Sequence, residues 1–414
     1  MDYRPRVVDP ILADSLDAIG AVVIEGPRAC GKTETGRRAA RSEVRVDTPQ
    51  GRQLFAASPG LLLEGATPRL LDEWQAEPDL WNVVRRAVDD RQSPGQFVLT
   101  GSAVPRDDPV RHSGAGRLIH LRMRPMTLFE TGHSSGTVSL AAVMDGEPVR
   151  AVDPGLTVPE IAERIVVGGW PAHLGLSPAQ AQRVLRGYIE DLCLSDVQRL
   201  DGVRRDPSGL TRLMASLARN VATPATLEAL TADTNGSDGG YVTDTIRGYL
   251  AALDRLMITE DLLPWRPALR SRARLRSATV RHLSDPSLAA AALNAGPTRL
   301  LRDINWTGFL FESLVVRDLR VYAQRLDGRV FHYRDSNGLE ADAIIELPDG
   351  RWAGFEIKLG SSPAVADEAA ANLIRLRDRV VRDAPVALAV ITGTGYAFVR
   401  GDGVLQIPVG ALAP

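Results

Sequence analysis

Apolar residues along this chain fall into three kinds of run, and each kind predicts a different element. The first third carries short unbroken runs, Ala21-Val22-Val23-Ile24, Leu70-Leu71 and Phe97-Val98-Leu99. Runs this short, without polar alternation, suit strands buried on both faces of a parallel sheet. They predict strands over 21–25, 68–73 and 96–102, with a helix over 34–41 after the first. In the middle third the period lengthens. Helical patterns dominate from Pro178 to about Leu230, and Ile246, Tyr249, Leu250, Leu253 and Leu256 form the stripe of an amphipathic helix over 243–256. A strand over 258–263 follows. The last third contains a helix starting near Gly308, a strand over 330–334, and two runs, 338–345 and 352–359, joined by the tight-turn signal Pro348-Asp349-Gly350. On such strands Glu340 and Asp342 share one face, as do Glu356 and Lys358. Two stretches break the pattern. Ser134 to Pro159 is rich in Gly, Ser, Thr and Pro and reads as a linker or peripheral loop, and Gly168-Gly169-Trp170-Pro171 reads as a turn.

The chemistry sits where these runs end. The first strand leads into Gly26-Pro27-Arg28-Ala29-Cys30-Gly31-Lys32-Thr33, which fits G-x-x-x-x-G-K-[ST] between a strand and a helix. Its glycines let backbone N–H groups wrap a phosphate at a helix N-terminus. Lys32 is placed to reach the β- and γ-phosphates of ATP, and the Thr33 hydroxyl to ligate Mg²⁺. The second strand ends in Asp72-Glu73, the Walker B arrangement, with Asp72 on the Mg²⁺ side and Glu73 orienting or deprotonating the attacking water. The third strand ends in Thr100-Gly101-Ser102, where a sensor of the γ-phosphate is expected. The expected nucleotide-contacting set is therefore Gly26, Pro27, Arg28, Ala29, Cys30, Gly31, Lys32, Thr33 and Glu34, with Asp72, Ser102 and Arg117. For Arg117 two readings stand: an arginine finger acting on a neighbouring subunit's nucleotide, or an ordinary surface arginine.

At the other end of the chain, a hairpin brings Asp342, Glu356 and Lys358 together, and Glu312 arrives from the helix. Asp342 and Glu356 offer hard oxygen ligands to Mg²⁺, with Glu312 or Glu340 completing the set. Lys358 is suited to position or deprotonate a water, or to steady charge on a phosphorus centre. The catalytic residues expected from sequence are Lys32, Glu73, Asp342, Glu356 and Lys358, and the metal ligands Thr33, Asp72, Glu312, Asp342 and Glu356.

Composition sharpens this picture at one point. The 49 basic residues include only two lysines, Lys32 and Lys358, one in each motif. Arginine's planar fork does not replace a compact ammonium where a point charge is needed, so the exceptions mark chemistry. Elsewhere composition mainly excludes. Cys30 and Cys193 are the only cysteines, which rules out a disulfide framework or a cysteine-based zinc site. No apolar run is long enough to span a bilayer and no signal-peptide core is visible, so a cytoplasmic protein is expected. A net charge of −2 gives no global attraction to nucleic acid. Any DNA contact must be local, and 262–284 holds six arginines and no acid. Arg270, Arg272, Arg274 and Arg276 alternate there with Trp265 nearby, either as a row tracking phosphates or as a seam against the acids of the helical region.

The strings Glu25 to Thr33, Leu71-Asp72-Glu73-Trp74-Gln75 and Leu99-Thr100-Gly101-Ser102, with the segment from Gly116-Arg117 to Glu130, resemble a large prokaryotic family of AAA-type ATPases. Its members usually carry a C-terminal domain of unknown function related to PD-(D/E)XK nucleases, and the Asp342, Glu356-x-Lys358 pattern resembles that nuclease core. The resemblance implies an α/β protein in four parts. These are an AAA-type P-loop ATPase domain over 1–133, a linker and peripheral segment over 134–177, a helical, winged-helix-like segment over 178–285, and a nuclease-like α/β domain over 286–414. It implies ATP and Mg²⁺ as cofactors, DNA as a partner and a possible homo-oligomer. Whether the C-terminal fold cleaves DNA or only binds it stays open at this point.

Overall fold

The unbroken apolar runs are unbroken because their sheet is covered on both sides. In the computed structural model, which describes residues 3–101, 114–200, 202–236, 239–266, 278–335, 337–380 and 384–414, five parallel strands form the first sheet. They are β1 (Ala21–Glu25), β2 (Ser42–Arg45), β3 (Arg69–Asp72), β4 (Phe97–Gly101) and β5 (Leu118–Arg122), in the order β2-β3-β4-β1-β5. Val22, Ile24, Leu70 and Val98 share one core with Val8, Leu12 and Leu16 of the helix Val8–Ala18, and Leu70 and Val98 lie against Gly36 of the helix Lys32–Ala39. Their neighbours Val23, Leu71, Phe97 and Leu99 face the opposite way, onto Trp81, Val84 and Val88 of the helix Leu80–Arg91. Each strand thus serves two cores with alternate residues, which removes the polar face an open strand shows. β4 lies between β1 and β3, so the carboxyl ends of the three motif-bearing strands meet at one edge.

The stretch 134–177, expected as a linker, carries β6 (Val138–Ser139), a helix Leu140–Met144 and a helix Val158–Val167. The second begins with a reciprocal capping box between Thr157 and Glu160. Both helices bury apolar residues, among them Leu140, Val143, Ile161 and Ile165. Between Pro178 and Arg302 the described residues are mostly helical. Three helices, Pro207–Arg219, Leu227–Asn235 and Thr243–Arg255, precede a ribbon whose arms meet at the antiparallel bridges Thr259–Leu283 and Leu262–Val280, with Thr223 bridging Arg281. Among the described residues the middle of the chain is thus helical, with the two bridged arms set between the helices Thr243–Arg255 and Pro286–Ala292. Arg270, Arg272, Arg274 and Arg276 lie outside the described residues. Trp265 corrects the sequence reading: it is fully buried, its ring centroid 4.6 Å from that of Trp352, and its indole N–H donates to Glu346. An indole so enclosed is core to the last module and offers nothing to DNA.

That module opens with the helix Ile304–Gln324 and continues through β7 (Arg329–Arg334), β8 (Glu340–Glu346) and β9 (Trp352–Lys358) as an antiparallel meander. The helix Pro363–Arg379 then crosses over to β10 (Ala387–Thr392), parallel to β9. β11 (Phe398–Val399) and β12 (Leu405–Pro408) complete a mixed six-stranded sheet in the order β11-β12-β10-β9-β8-β7. Finally β13 (Leu412–Ala413) pairs with β6, tying the end of the chain to the segment after the first sheet. The protein is thus α/β, with an N-terminal parallel sheet, a helical middle and a C-terminal mixed sheet. Among the described residues no helix is long and apolar enough to cross a membrane.

Two buried histidines make stability depend on pH. Burial holds His332 down at about 4 and pushes His282 well below the usual value. Between pH 6.5 and about 4 the unfolded chain binds a proton at position 332 that the folded chain refuses. Stability is therefore lost as pH falls through this window, by about 1.4 kcal/mol per pH unit per fully titrating histidine. Urea denaturation at pH 7.5, 6 and 5 is expected to show that His332→Gln, relative to the wild-type chain, gains stability as the pH falls, because the variant lacks this contribution.

Candidate functional site

β1 ends at Glu25 and the helix Lys32–Ala39 begins six residues after Gly26, so the loop between them must turn sharply. Gly31 adopts φ 105° and Ala29 φ 64°, left-handed values that glycine accepts freely and alanine does not. Gly26 is required for another reason: a β-carbon there would lie 2.2 Å from the Met123 carbonyl. Behind the loop, the buried Arg6 guanidinium donates to the Cys30 carbonyl at 2.9 Å and pairs with Glu130 at 2.9 Å. Cys30 is fully buried, its thiol directed at the Met123 carbonyl. In front, the Lys32 ammonium is buried and donates to the carbonyls of Gly26 and Pro27, each at 2.9 Å.

The parallel order of β1, β4 and β3 delivers three oxygens to this loop. Asp72 at the end of β3 accepts from the Thr33 hydroxyl at 2.8 Å and from the Thr100 hydroxyl at 2.6 Å, all on one carboxylate oxygen. Hard oxygens converging in this way fit Mg²⁺, with Thr33 and Asp72 as the residues that would hold it. Glu73 follows in a left-handed conformation, φ 57°, and its carboxylate accepts from the Gln75 amide. Burial raises the Glu73 carboxyl above its ordinary range, and the Gln75 hydrogen bond and the Lys32 charge offset part of that. Thr100 therefore sits at the position where the sequence pointed to Thr100 and Ser102 together; Ser102 lies outside the described residues.

Three of the expected nucleotide contacts are placed less simply. Arg28 leaves the loop and forms an ion pair with Asp196, at 2.8 and 3.0 Å to its two oxygens. Glu34 is exposed and pairs with Arg37 one turn on, so its side chain does not enter the loop. Arg117 precedes β5 and pairs with Asp89 at 2.6 Å. Since β5 runs parallel to β1, Arg117 stands at the end of the sheet opposite its own phosphate loop.

Sequence reasoning missed the wall facing this loop. A cavity of about 420 Å³ is lined by Arg28, Glu73 and Gln75 on one side and by Tyr188, Asp196 and Arg199 on the other. Residues 188–199 read as a solvated helix face. No local signal announced this wall, since Leu185, Ile189, Leu192, Val197 and Leu200 keep a helical spacing; only the structure shows a π-helical turn over Leu192–Asp196. Such turns often mark functional positions.

In the last module β8 and β9 pair with Ala343 opposite Phe355, which sets Asp342 against Glu356. Lys358 reaches back between them, 2.6 Å from Glu356 and 3.1 Å from Asp342. Asp342 also accepts from the Ile357 N–H at 2.7 Å, and Asn372 on the crossover helix donates to Glu356 at 2.5 Å. The helix carrying Glu312 begins at Ile304, so Glu312 lies in its middle and not near its start, partly buried beside this cluster. Burial and the neighbouring Asp342 raise Glu312 well above its ordinary range. Burial, then Asp342, lift Glu356 to about 7, against the pull of Lys358. Burial works against the Lys358 charge, yet Asp342 and Glu356 outweigh it and raise the ammonium. Glu340 pairs with Arg334 at 3.1 Å. Among the described residues no group of three or more His, Cys, Asp and Glu side chains is placed to hold a metal ion. Glu312 and Glu340 therefore do not complete a three-acid set here. Asp342 and Glu356 would be the two residues to offer oxygens to a Mg²⁺ that kept several waters.

Comparison with known proteins assigns the first of these sites to a class. Residues 19–132 match a family model described as an AAA domain. With the loop geometry above, the N-terminal module carries the P-loop of an ATPase and is similar to AAA domains over those residues. Residues 158–299 and 307–412 match two domains of unknown function, DUF8612 and DUF4143. Over nearly its whole length the chain is similar to uncharacterized proteins of Mycobacterium bovis and Mycobacterium tuberculosis. Each is 26% identical over 411 residues, covering 96% of this chain and 82% of the relative. Among solved structures, the Walker-type ATPase PABY2304 of Pyrococcus abyssi matches with a TM-score of 0.42 at 13% identity, covering 70% of this chain and 99% of that one.

Proposed function

We propose that this protein is a Mg²⁺-dependent ATPase that couples ATP binding and hydrolysis to the engagement of DNA, and to its cleavage at the carboxylate–lysine cluster of the last module. Lys32 contacts the β- and γ-phosphates and neutralises their charge, Glu73 orients the attacking water, and Thr33 and Asp72 hold the cation. The winged-helix segment and the arginines of 262–284 supply the DNA contact. The observation that carries the second half is the Lys358 ammonium held between Asp342 and Glu356 on a hairpin. In a chain that otherwise writes arginine, it is the one lysine outside the phosphate loop. When bound, Mg²⁺ supplies charge neutralisation and a more acidic water. Asp342 and Glu356 hold their oxygens toward the site, Asn372 fixes the Glu356 rotamer, and Lys358 orients a water against the phosphorus.

A second reading is favoured by the same geometry. Lys358 neutralises both carboxylates and Asn372 caps one of them, an arrangement that also suits a silent nuclease fold in a nucleotide-switched DNA- or protein-binding regulator. Incubation of the purified chain with DNA and Mg²⁺ or Mn²⁺, with and without ATP, separates the two. Under the first reading the chain nicks DNA and Asp342→Ala reduces the rate by at least about a hundredfold. DNA that is bound but never cut, by either chain, favours the regulator.

A further inference from the structure

The Gln75 carboxamide lies two residues beyond Glu73 in the short turn Trp74–Ala76, with one end engaged and the other not. An ionised carboxylate only accepts hydrogen bonds, so the Gln75 Nε2 group must be the end that faces Glu73. This orientation turns Oε1 the other way, toward the carboxyl end of β4. There it packs so closely that a β-carbon on Gly101 would lie 2.5 Å from it. Oε1 is buried and has no hydrogen-bond partner among the described residues. A buried acceptor left unmet is unstable relative to one that is satisfied, and such exceptions often mark a group whose partner arrives later.

The surroundings say what that partner is. Gly101 pairs in register with Glu25, the last residue before the phosphate loop, and its neighbour Thr100 donates to Asp72. Gln75 and Glu73 also share the wall of the 420 Å³ cavity with Arg28. The unmet acceptor thus stands at the edge where a γ-phosphate and its attacking water must sit.

We propose that Gln75 is a positioning residue for ATP hydrolysis: its Nε2 steers the Glu73 carboxylate, and a small rotation on nucleotide binding lets Oε1 accept a hydrogen bond from the attacking water. The water then has both hydrogens directed, one to Glu73 and one to Gln75, which aims its lone pair at the γ-phosphorus. The new P–O bond forms as the bond to the ADP oxygen breaks, the water's proton passes to Glu73, and ADP leaves with its electron pair. This inference rests on ATP turnover by the P-loop module.

The test is steady-state ATPase measurement on the full-length Gln75→Met variant, which keeps the side chain's length without its polar atoms. It is combined with ATP affinity from a fluorescent ATP analogue and with the thermal midpoint. We expect kcat to fall at least about tenfold with nucleotide affinity and midpoint unchanged. Added to Glu73→Gln, the substitution should cost little further, because both residues act on one water. Should Gln75→Met fail to fold, Gln75→Asn, one methylene short of bridging, is expected to show the same split. A kcat within twofold of wild type overturns the proposal, as does a loss that tracks weaker binding or that simply multiplies with Glu73→Gln. A wild-type chain that binds ATP without hydrolysing it would remove the ATPase reading itself, a result distinct from wild-type turnover with an unimpaired Gln75 variant.

Discussion

Lys32→Ala is expected to abolish ATP turnover, lowering kcat by at least about 10²–10³-fold while leaving the chain folded. The ammonium now caps the Gly26 and Pro27 carbonyls at 2.9 Å each, so it is held inside the loop before any phosphate arrives. A bound triphosphate offers it full negative charge in place of two carbonyl dipoles, and charge-assisted hydrogen bonds are about twice as strong as neutral ones. Alanine leaves those carbonyls to water and the developing phosphate charge without its nearest cation. Lys32→Arg should fare little better, because a rigid fork does not fit a pocket shaped around one nitrogen. Malachite-green phosphate release, with circular dichroism as the folding control, measures both variants. Hydrolysis at the wild-type rate in Lys32→Ala would refute the assignment of this loop.

Asp285→Ala is expected to cost about 3–5 kcal/mol of stability, the range for breaking one side of a buried ion pair. The Asp285 carboxylate is fully buried and accepts from Arg317 at 2.6 Å, from the Gly169 N–H at 3.0 Å and from the Ser287 N–H at 2.9 Å. Arg317 in turn pairs with Asp318 at 2.7 Å, which accepts from the Leu128 N–H at 3.0 Å. One guanidinium therefore joins the turn after Val158–Val167, the end of the helical segment, the tail of the ATPase domain and the helix that carries Glu312. Removing Asp285 leaves Arg317 half-compensated and the Gly169 N–H unmet in a dry interior. Asp285→Asn, which keeps an acceptor of the same shape, should lose less. Guanidinium denaturation followed by tryptophan fluorescence measures the difference, and a midpoint unchanged by Asp285→Ala would show that this junction does not hold the modules together.

The phosphate loop was legible in sequence because its chemistry is local. Gly26, Gly31, Lys32 and Thr33 act within one strand–turn–helix unit, and their spacing alone states the geometry. The hairpin placing Asp342, Glu356 and Lys358 on shared faces was legible for a similar reason, since alternation along a strand is itself a statement of side. The linker reading of 134–177 shows the limit. Its helices are short, and what buries Leu140, Val143 and Ile161 comes from distant parts of the chain, including β13 at its far end. Trp265 shows the same limit, since its sequence neighbours are arginines while its spatial neighbours are Trp352 and Tyr333.

By itself, then, the sequence determined the phosphate loop and the carboxylate–lysine pattern, the strands that bear them and the lysine set in each, because periodicity and spacing act over a few residues. Tertiary structure alone decided that Asp196 and Arg199 face the phosphate loop and that Arg117 stands at the far end of the sheet. It also decided that Glu312 does not complete a three-acid set and that the Gln75 amide has one end without a partner. Those outcomes depend on strand order, helix register and burial, which bring together groups distant in sequence, Arg28 and Asp196 by 168 residues, and leave no period in the chain to announce them.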